Sequence, residues 1–192
     1  MAGLNSRAAG APRNTGHDPV DGGGAAGFPA PGHDHAACRD TAIARAEGLC
    51  ARRGARLTPQ RREVLDLLLS AHRALGAYEI MDAIDWEGRK PAPVVVYRAL
   101  DFLMELGLVH RLASLNAYVA CGHGGDGHET AEGTRFLICT ECRTVAEITG
   151  PGIAEAVQNE AARTGFAVEQ MMIEVSGTCP HCADAGAGSS HG

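Results

Sequence analysis

Aromatic residues are scarce in this chain, at 4% of the total: four Phe, three Tyr and one Trp. Its cores must therefore be built from Leu, Val, Ile and Ala, and at 192 residues it can bury one medium core or two small ones. Small cores need an extra staple, and a structural metal is one. No run approaches the roughly 20 apolar residues that span a bilayer, and the first residues lack the apolar stretch of a secretory signal. A cytoplasmic location with no membrane partner is the expectation. In a reducing compartment the seven cysteines point away from a disulfide framework and toward metal ligation or thiol chemistry.

An excess of positive charge is also missing, since the net charge is −6. Counted by segment, however, residues 41–112 hold 11 Lys/Arg against 9 Asp/Glu, whereas residues 113–192 hold 3 against 10. Phosphate attraction acts within a Debye length of about 10 Å, so the acidic total does not exclude DNA binding by the N-terminal half.

Residues 1–38 are rich in Gly, Ala, Pro, Asn and Asp without periodicity, and they read as a disordered tail, as do the Ala-Gly-Ser-rich residues 183–192. Within the first tail His33, Asp34, His35 and Cys38 lack the frame a metal site needs. Between the tails, three- and four-residue apolar spacing predicts a helix over 41–53, with Cys50 in its buried face. Thr58-Pro59 starts a second helix, with Arg61 and Arg62 near its start and Val64, Leu65, Leu67 and Leu68 buried. Short helices follow over 78–85 and, closed by Gly107, over 93–106. Two extended runs, 108–112 and 117–121, then read as a β-hairpin. Helices followed by a hairpin suggest a winged helix-turn-helix over 39–121. A Gly-rich hinge at 122–134 leads to a second unit over 135–182, in the order strand, strand, helix, strand. The fold class is α+β.

Cys139-x-x-Cys142 paired with Cys179-Pro-His-Cys182 is the strongest isolated signal. Two thiolate pairs on tight turns can close a tetrahedron around zinc and tie the ends of a small domain together, a structural role. The gap between the pairs is longer than in the usual zinc ribbon, so other pairings stay open. A redox-active CxxC normally opens a helix within a βαβ pattern, a context these pairs lack. Other candidate ligands gather near the expected boundary: His110, Cys121, His123, His128, Asp126, Glu129, Glu132 and Glu147. Composition does not select among them. In the fourth helix Val96, Leu100, Leu103 and Met104 form the core face, which leaves Tyr97, Arg98 and Asp101 on other sides; an arginine there can donate two hydrogen bonds to guanine in the major groove.

Arg56-Leu57-Thr58-Pro59-Gln60-Arg61, Val96-Tyr97-Arg98-Ala99-Leu100-Asp101-Phe102-Leu103 and Phe136-Leu137-Ile138-Cys139-x-x-Cys142 together resemble the ferric uptake regulator superfamily, over about residues 41–182. The resemblance implies a winged-helix domain, a small α/β dimerisation domain, and homodimers that bind palindromic operator DNA under control of a metal. Iron-type members carry a His-His-x-His cluster between the domains, whereas this chain has His123-Gly-Gly-Asp-Gly-His128. The zinc uptake regulators are more similar, and their pattern falls on His110, Cys121, His128 and Glu147 as a regulatory zinc site beside the structural one. His123 competes with His128 for the loop position. The same resemblance assigns Tyr78, Tyr97, Arg98 and Arg61 to DNA contact. Val95 stands where the family more often has Thr, so a hydroxyl that could cap the helix or touch phosphate is absent. A sensor of manganese, nickel or peroxide would call for oxygen-rich or all-His ligands, against which Cys121 argues. An enzyme, whether a zinc hydrolase or a thiol oxidoreductase, is the remaining alternative, and four filled zinc positions would leave no room for activated water.

Overall fold

The computed structural model describes Phe28 and residues 35–71, 73–86, 88–121, 133–148 and 151–187. The first unit contains α1 (His35–Arg52), α2 (Pro59–Ala71), β1 (Leu75–Gly76), α3 (Ala77–Ala83), α4 (Pro93–Glu105), β2 (Val109–Leu112) and β3 (Ala117–Ala120). The second contains β4 (Thr134–Cys139), β5 (Val145–Glu147), α5 (Pro151–Arg163), β6 (Met172–Gly177) and α6 (Pro180–Ala187). No helix among the described residues is long and apolar enough to cross a membrane.

Helix α2 begins where Thr58-Pro59 places it: the Arg62 amide donates to the Thr58 carbonyl at 2.9 Å, and the Arg61 amide lies 3.5 Å from Thr58 Oγ1. Val64, Leu65 and Leu68 are buried, and Leu67 is half-buried. These side chains join Ile43, Ala46, Leu49 and Cys50 of α1, Ile80 and Met81 of α3, and Val96, Leu100 and Leu103 of α4 in one aliphatic core. Helix α4 has Ala92 at its N-cap with no side-chain cap and Pro93 in its first turn, so Val95, where the hydroxyl is missing, is the third helical residue and not the cap. Gly107 closes it at φ +67, a left-handed value that glycine adopts without steric cost.

Strands β2 and β3 pair antiparallel as the expected wing, with His110 opposite Val119, and β3 also pairs with β1. The second sheet has the order β5-β4-β6, antiparallel on one side of β4 and parallel on the other.

Several expectations need correction. Helix α1 begins at His35, inside the segment expected to be a tail, and α6 continues through Ala187, past the expected end of structure at 182. Periodicity failed at both ends because Ala, Gly and Asp carry little amphipathic signal even in a helix. Two-residue β1 has no sequence pattern of its own. The other residues of 1–38 and 183–192, and most of the Gly-rich hinge, lie outside the described residues.

The two units are not merely strung together. Ala74, just before β1, and Leu112, Ala117 and Val119 of the wing sheet pack with Phe136 and Ile138 of β4 in a second apolar cluster. This cluster seats the wing on the second sheet and positions the side chains described next.

Candidate metal centres and DNA-reading face

Parallel pairing of β4 with β6 sets Cys139 opposite Gly177, so the turn after β4 and the start of α6 meet. Cys139, Cys142, Cys179 and Cys182 thereby come together with all their Sγ atoms within 4.8 Å of one another, including 3.7 Å between Cys142 and Cys179. The Cys179 amide points at Cys139 Sγ from 3.4 Å. Amide donors of Cys142 and Cys179 draw the Cys139 thiol down to about 6, and the Thr144 hydroxyl, 3.1 Å from Cys142 Sγ, lowers that thiol as well. Cys182, sharing protons with Cys179 and Cys142, is pushed up to about 12. Four sulfurs this close cannot all ionise unless a cation sits among them. The donor set therefore fits a soft, tetrahedral dication such as zinc. His181 is exposed beside the cluster.

The second candidate centre lies where the wing meets the second sheet. Cys121 follows β3, its amide donating to the Leu108 carbonyl at 2.9 Å, and its thiol donates across the boundary to Glu147 Oε2 at 3.7 Å. Glu147 pairs with Phe136 in the sheet, and the Phe136 ring lies 5.3 Å from the His110 ring. Nε2 of His110 and Oε1 of Glu147 are both buried atoms. Cys121 thus reaches Glu147, and His110 lies against Phe136, the strand neighbour of Glu147, while among the described residues only the four cysteines bring three or more ligand atoms together. The fourth residue assigned to this centre, His128, lies outside the described residues, as do His123, Asp126, Glu129 and Glu132.

Sequence reasoning missed a set of polar contacts at the same boundary. Glu79, in the first turn of α3, accepts from the Gly76 amide at 2.8 Å, from Arg73 Nη1 at 2.9 Å and from Arg143 Nη1 at 3.1 Å. The first of these, followed by Arg73, holds its carboxyl below the usual range. Arg143 directly follows Cys142, its carbonyl accepts from the Ala74 amide at 3.1 Å, and its φ is +62. Left-handed backbone at a non-glycine residue costs on the order of 1 kcal/mol, and nothing local in the sequence announces it. On the other flank Glu174 of β6 accepts from the amides of Ala113 and Ser114 in the wing turn, at 2.7 and 3.0 Å.

The proposed DNA contacts fall into two groups. Tyr78 is 76% exposed and Tyr97 40% exposed. Tyr97, Arg98 and Asp101, with Val94 and Val95 in the first turn, form the solvent side of α4, whose other side is core, while Tyr78 stands exposed on α3. Arg61 is engaged within the fold: its guanidinium stacks 3.4 Å from the Phe102 ring centroid and its Nη1 donates to the Arg56 carbonyl at 2.8 Å. Those contacts order the loop before α2.

Comparison with known proteins agrees with this geometry. The chain is 39% identical over 142 residues to the zinc uptake regulation protein of Escherichia coli (strain K12), covering 74% of this chain and 81% of that one. It is 29% identical over 130 residues to the peroxide operon regulator of Bacillus subtilis (strain 168), covering 68% and 86%. Among solved structures it is similar to a zinc uptake regulator complexed with zinc and DNA, with a TM-score of 0.70 and 38% identity over 78% of this chain and 97% of that one. The holo form of XcZur is similar too, with a TM-score of 0.65 and 38% identity over 76% and 99%. Residues 52–176, which include α2, α4, the β2–β3 hairpin and the first cysteine pair, match the model of the ferric uptake regulator family, and the chain belongs to that family.

Proposed function

We propose that this chain is a zinc-responsive transcriptional repressor of the cytoplasm, which binds palindromic operator DNA as a homodimer and controls zinc uptake genes. In this reading residues 39–121 read DNA, 122–134 are the hinge and 135–182 dimerise. Each subunit has a structural zinc site on Cys139, Cys142, Cys179 and Cys182 and a regulatory one on His110, Cys121, His128 and Glu147. Similarity to a zinc uptake regulator bound to zinc and DNA supports the effector and the partner.

The observation that carries the reading is the approach of Cys121 Sγ to Glu147 Oε2, 3.7 Å apart and on opposite sides of the domain boundary. Zinc supplies a dication of borderline softness, which one thiolate, one carboxylate and imidazole nitrogens satisfy together. Cys121 gives up its thiol proton in the process, and the pair then resists separation of the wing from the second sheet. Two winged domains held this way present α4 to half-sites about one helical turn apart. Moving a population from 1% to 99% competent requires roughly 5.5 kcal/mol of preference for the competent state. The test is operator binding against buffered free zinc, with zinc content measured before and after mild chelation. An affinity for DNA that does not rise with zinc sinks the reading.

Homodimerisation is supported by apolar surface on the second unit. Ile153 and Val157 of α5, Phe166, and Met172 and Val175 of β6 are all at least 39% exposed, and β6 is an edge strand. Water does not tolerate an open apolar edge of this kind well, and a second copy covers it. Val175→Asp is expected to weaken the dimer by roughly 3 kcal/mol, more than about 100-fold, because it strands a charge in the contact. Sedimentation across a concentration series reads this directly.

Arg98→Ala is expected to weaken specific operator binding by roughly 1–3 kcal/mol, as for an arginine that contacts a base edge. The thermal transition should stay put, since Arg98 is exposed. Competition between operator and scrambled DNA is the measurement, and an unchanged preference would count against the assignment.

A further inference from the structure

The boundary between the units is held by two carboxylates that face in opposite directions. Glu79 of the winged domain reaches Arg143 of the second unit at 3.1 Å, and Glu174 of the second unit reaches the wing-turn amides of Ala113 and Ser114 at 2.7 and 3.0 Å. Arg73 braces Glu79 from the winged side, and its backbone bridges to Thr144 beyond Arg143. An isolated exposed ion pair contributes little, but here one carboxylate joins two arginines and a backbone amide while the chain next to it is bridged. Arg143 is also kept in left-handed backbone, φ +62, at a position where glycine would be free of strain.

We propose that Glu79, Arg73 and Arg143, with Glu174 at the far end, form a latch that docks the DNA-reading domain on the four-cysteine domain and thereby sets the free-zinc concentration at which the regulatory site fills. The proposal rests on the regulatory reading of His110, Cys121, His128 and Glu147 given above. Those residues come together only when the units are docked, because Cys121 and Glu147 sit on opposite sides of the boundary. A contact that favours docking therefore favours zinc binding, by up to the same factor where the undocked state predominates. The latch residues touch neither the thiol nor the carboxylate of that centre. They act as positioning residues.

The experiment uses the full-length dimer with its cysteine-cluster zinc in place. Arg143→Gly removes the guanidinium and relieves the strained backbone, so it is not expected to unfold the chain. Glu79→Gln removes the charge from the other side. Each is expected to raise the free zinc needed for half-saturation of the second site about tenfold, equivalent to about 1.4 kcal/mol. Operator affinity at saturating zinc should be unchanged, and the double variant should shift no further than either single one. Hydrogen exchange supplies a readout independent of the second zinc. With that zinc removed, the Ala113 and Ser114 amides should exchange several-fold faster in Arg143→Gly, although they lie at the opposite end of the boundary. Unchanged wing-turn exchange together with an unchanged zinc midpoint overturns the latch. A parent protein that takes up no second zinc overturns the regulatory reading instead, and the exchange data then still decide whether the latch exists.

Discussion

Cys179→Ser is expected to unfold the second domain and leave a monomer whose winged domain remains folded. The described part of that domain buries few large side chains of its own, chiefly Phe136, Ile138 and Met171. Phe136 and Ile138 belong to the cluster shared with the wing. Structural zinc in small domains contributes about 10–16 kcal/mol of apparent binding energy, comparable to or larger than the roughly 5–15 kcal/mol of a domain's net stability. Cys179 is fully buried, and its amide also holds Cys139 Sγ, so serine removes a ligand at the centre of the cluster. The same outcome is expected for Cys139, Cys142 and Cys182. The winged domain has its own aliphatic core across α1 to α4 and should keep most helical signal. Circular dichroism, sedimentation and zinc content together measure the effect, and a stable zinc-free dimer would contradict it.

Cys121→Ser is expected to have the largest effect on regulation while sparing the fold. Serine is nearly isosteric and its hydroxyl does not ionise near neutral pH, so it is a poor zinc ligand. The variant should keep one zinc per subunit on the four-cysteine cluster and its dimeric state, but DNA affinity should no longer rise over the range of free zinc that activates the parent. The shift in half-maximal free zinc should be at least about 100-fold, since loss of one thiolate removes both a strong ligand and the contact to Glu147. If the variant responds at the same free zinc as the parent, Cys121 is not a ligand, and His123 and Asp126 become the next candidates.

Parts of the fold were legible because they depend on local pattern. Thr58-Pro59 announces a helix start by sterics and capping alone, and the three- and four-residue spacing of Val96, Leu100 and Leu103 announces a buried face. The four cysteines were legible as two pairs because a tight turn aims two thiols the same way. Their meeting in one cluster was expected as well, and the parallel register of β4 with β6 is what brings it about. Arg61, assigned to DNA contact on the resemblance, is stacked on Phe102, a partner 41 positions away that only packing brings near.

By itself the sequence determined the winged order of helices and hairpin, the strand-strand-helix-strand second unit, the separation of basic and acidic halves, and the two cysteine pairs. Each follows from interactions within a few residues or from composition, where side-chain chemistry and periodicity are sufficient. Only the tertiary structure decided that the wing rests on β4 through a shared apolar cluster, that Cys121 reaches Glu147, and that Arg143 accepts a strained φ of +62 while it reaches Glu79. The two side-chain contacts join residues 26 and 64 positions apart, and their energies depend on distance and desolvation, quantities that exist only once the chain has folded.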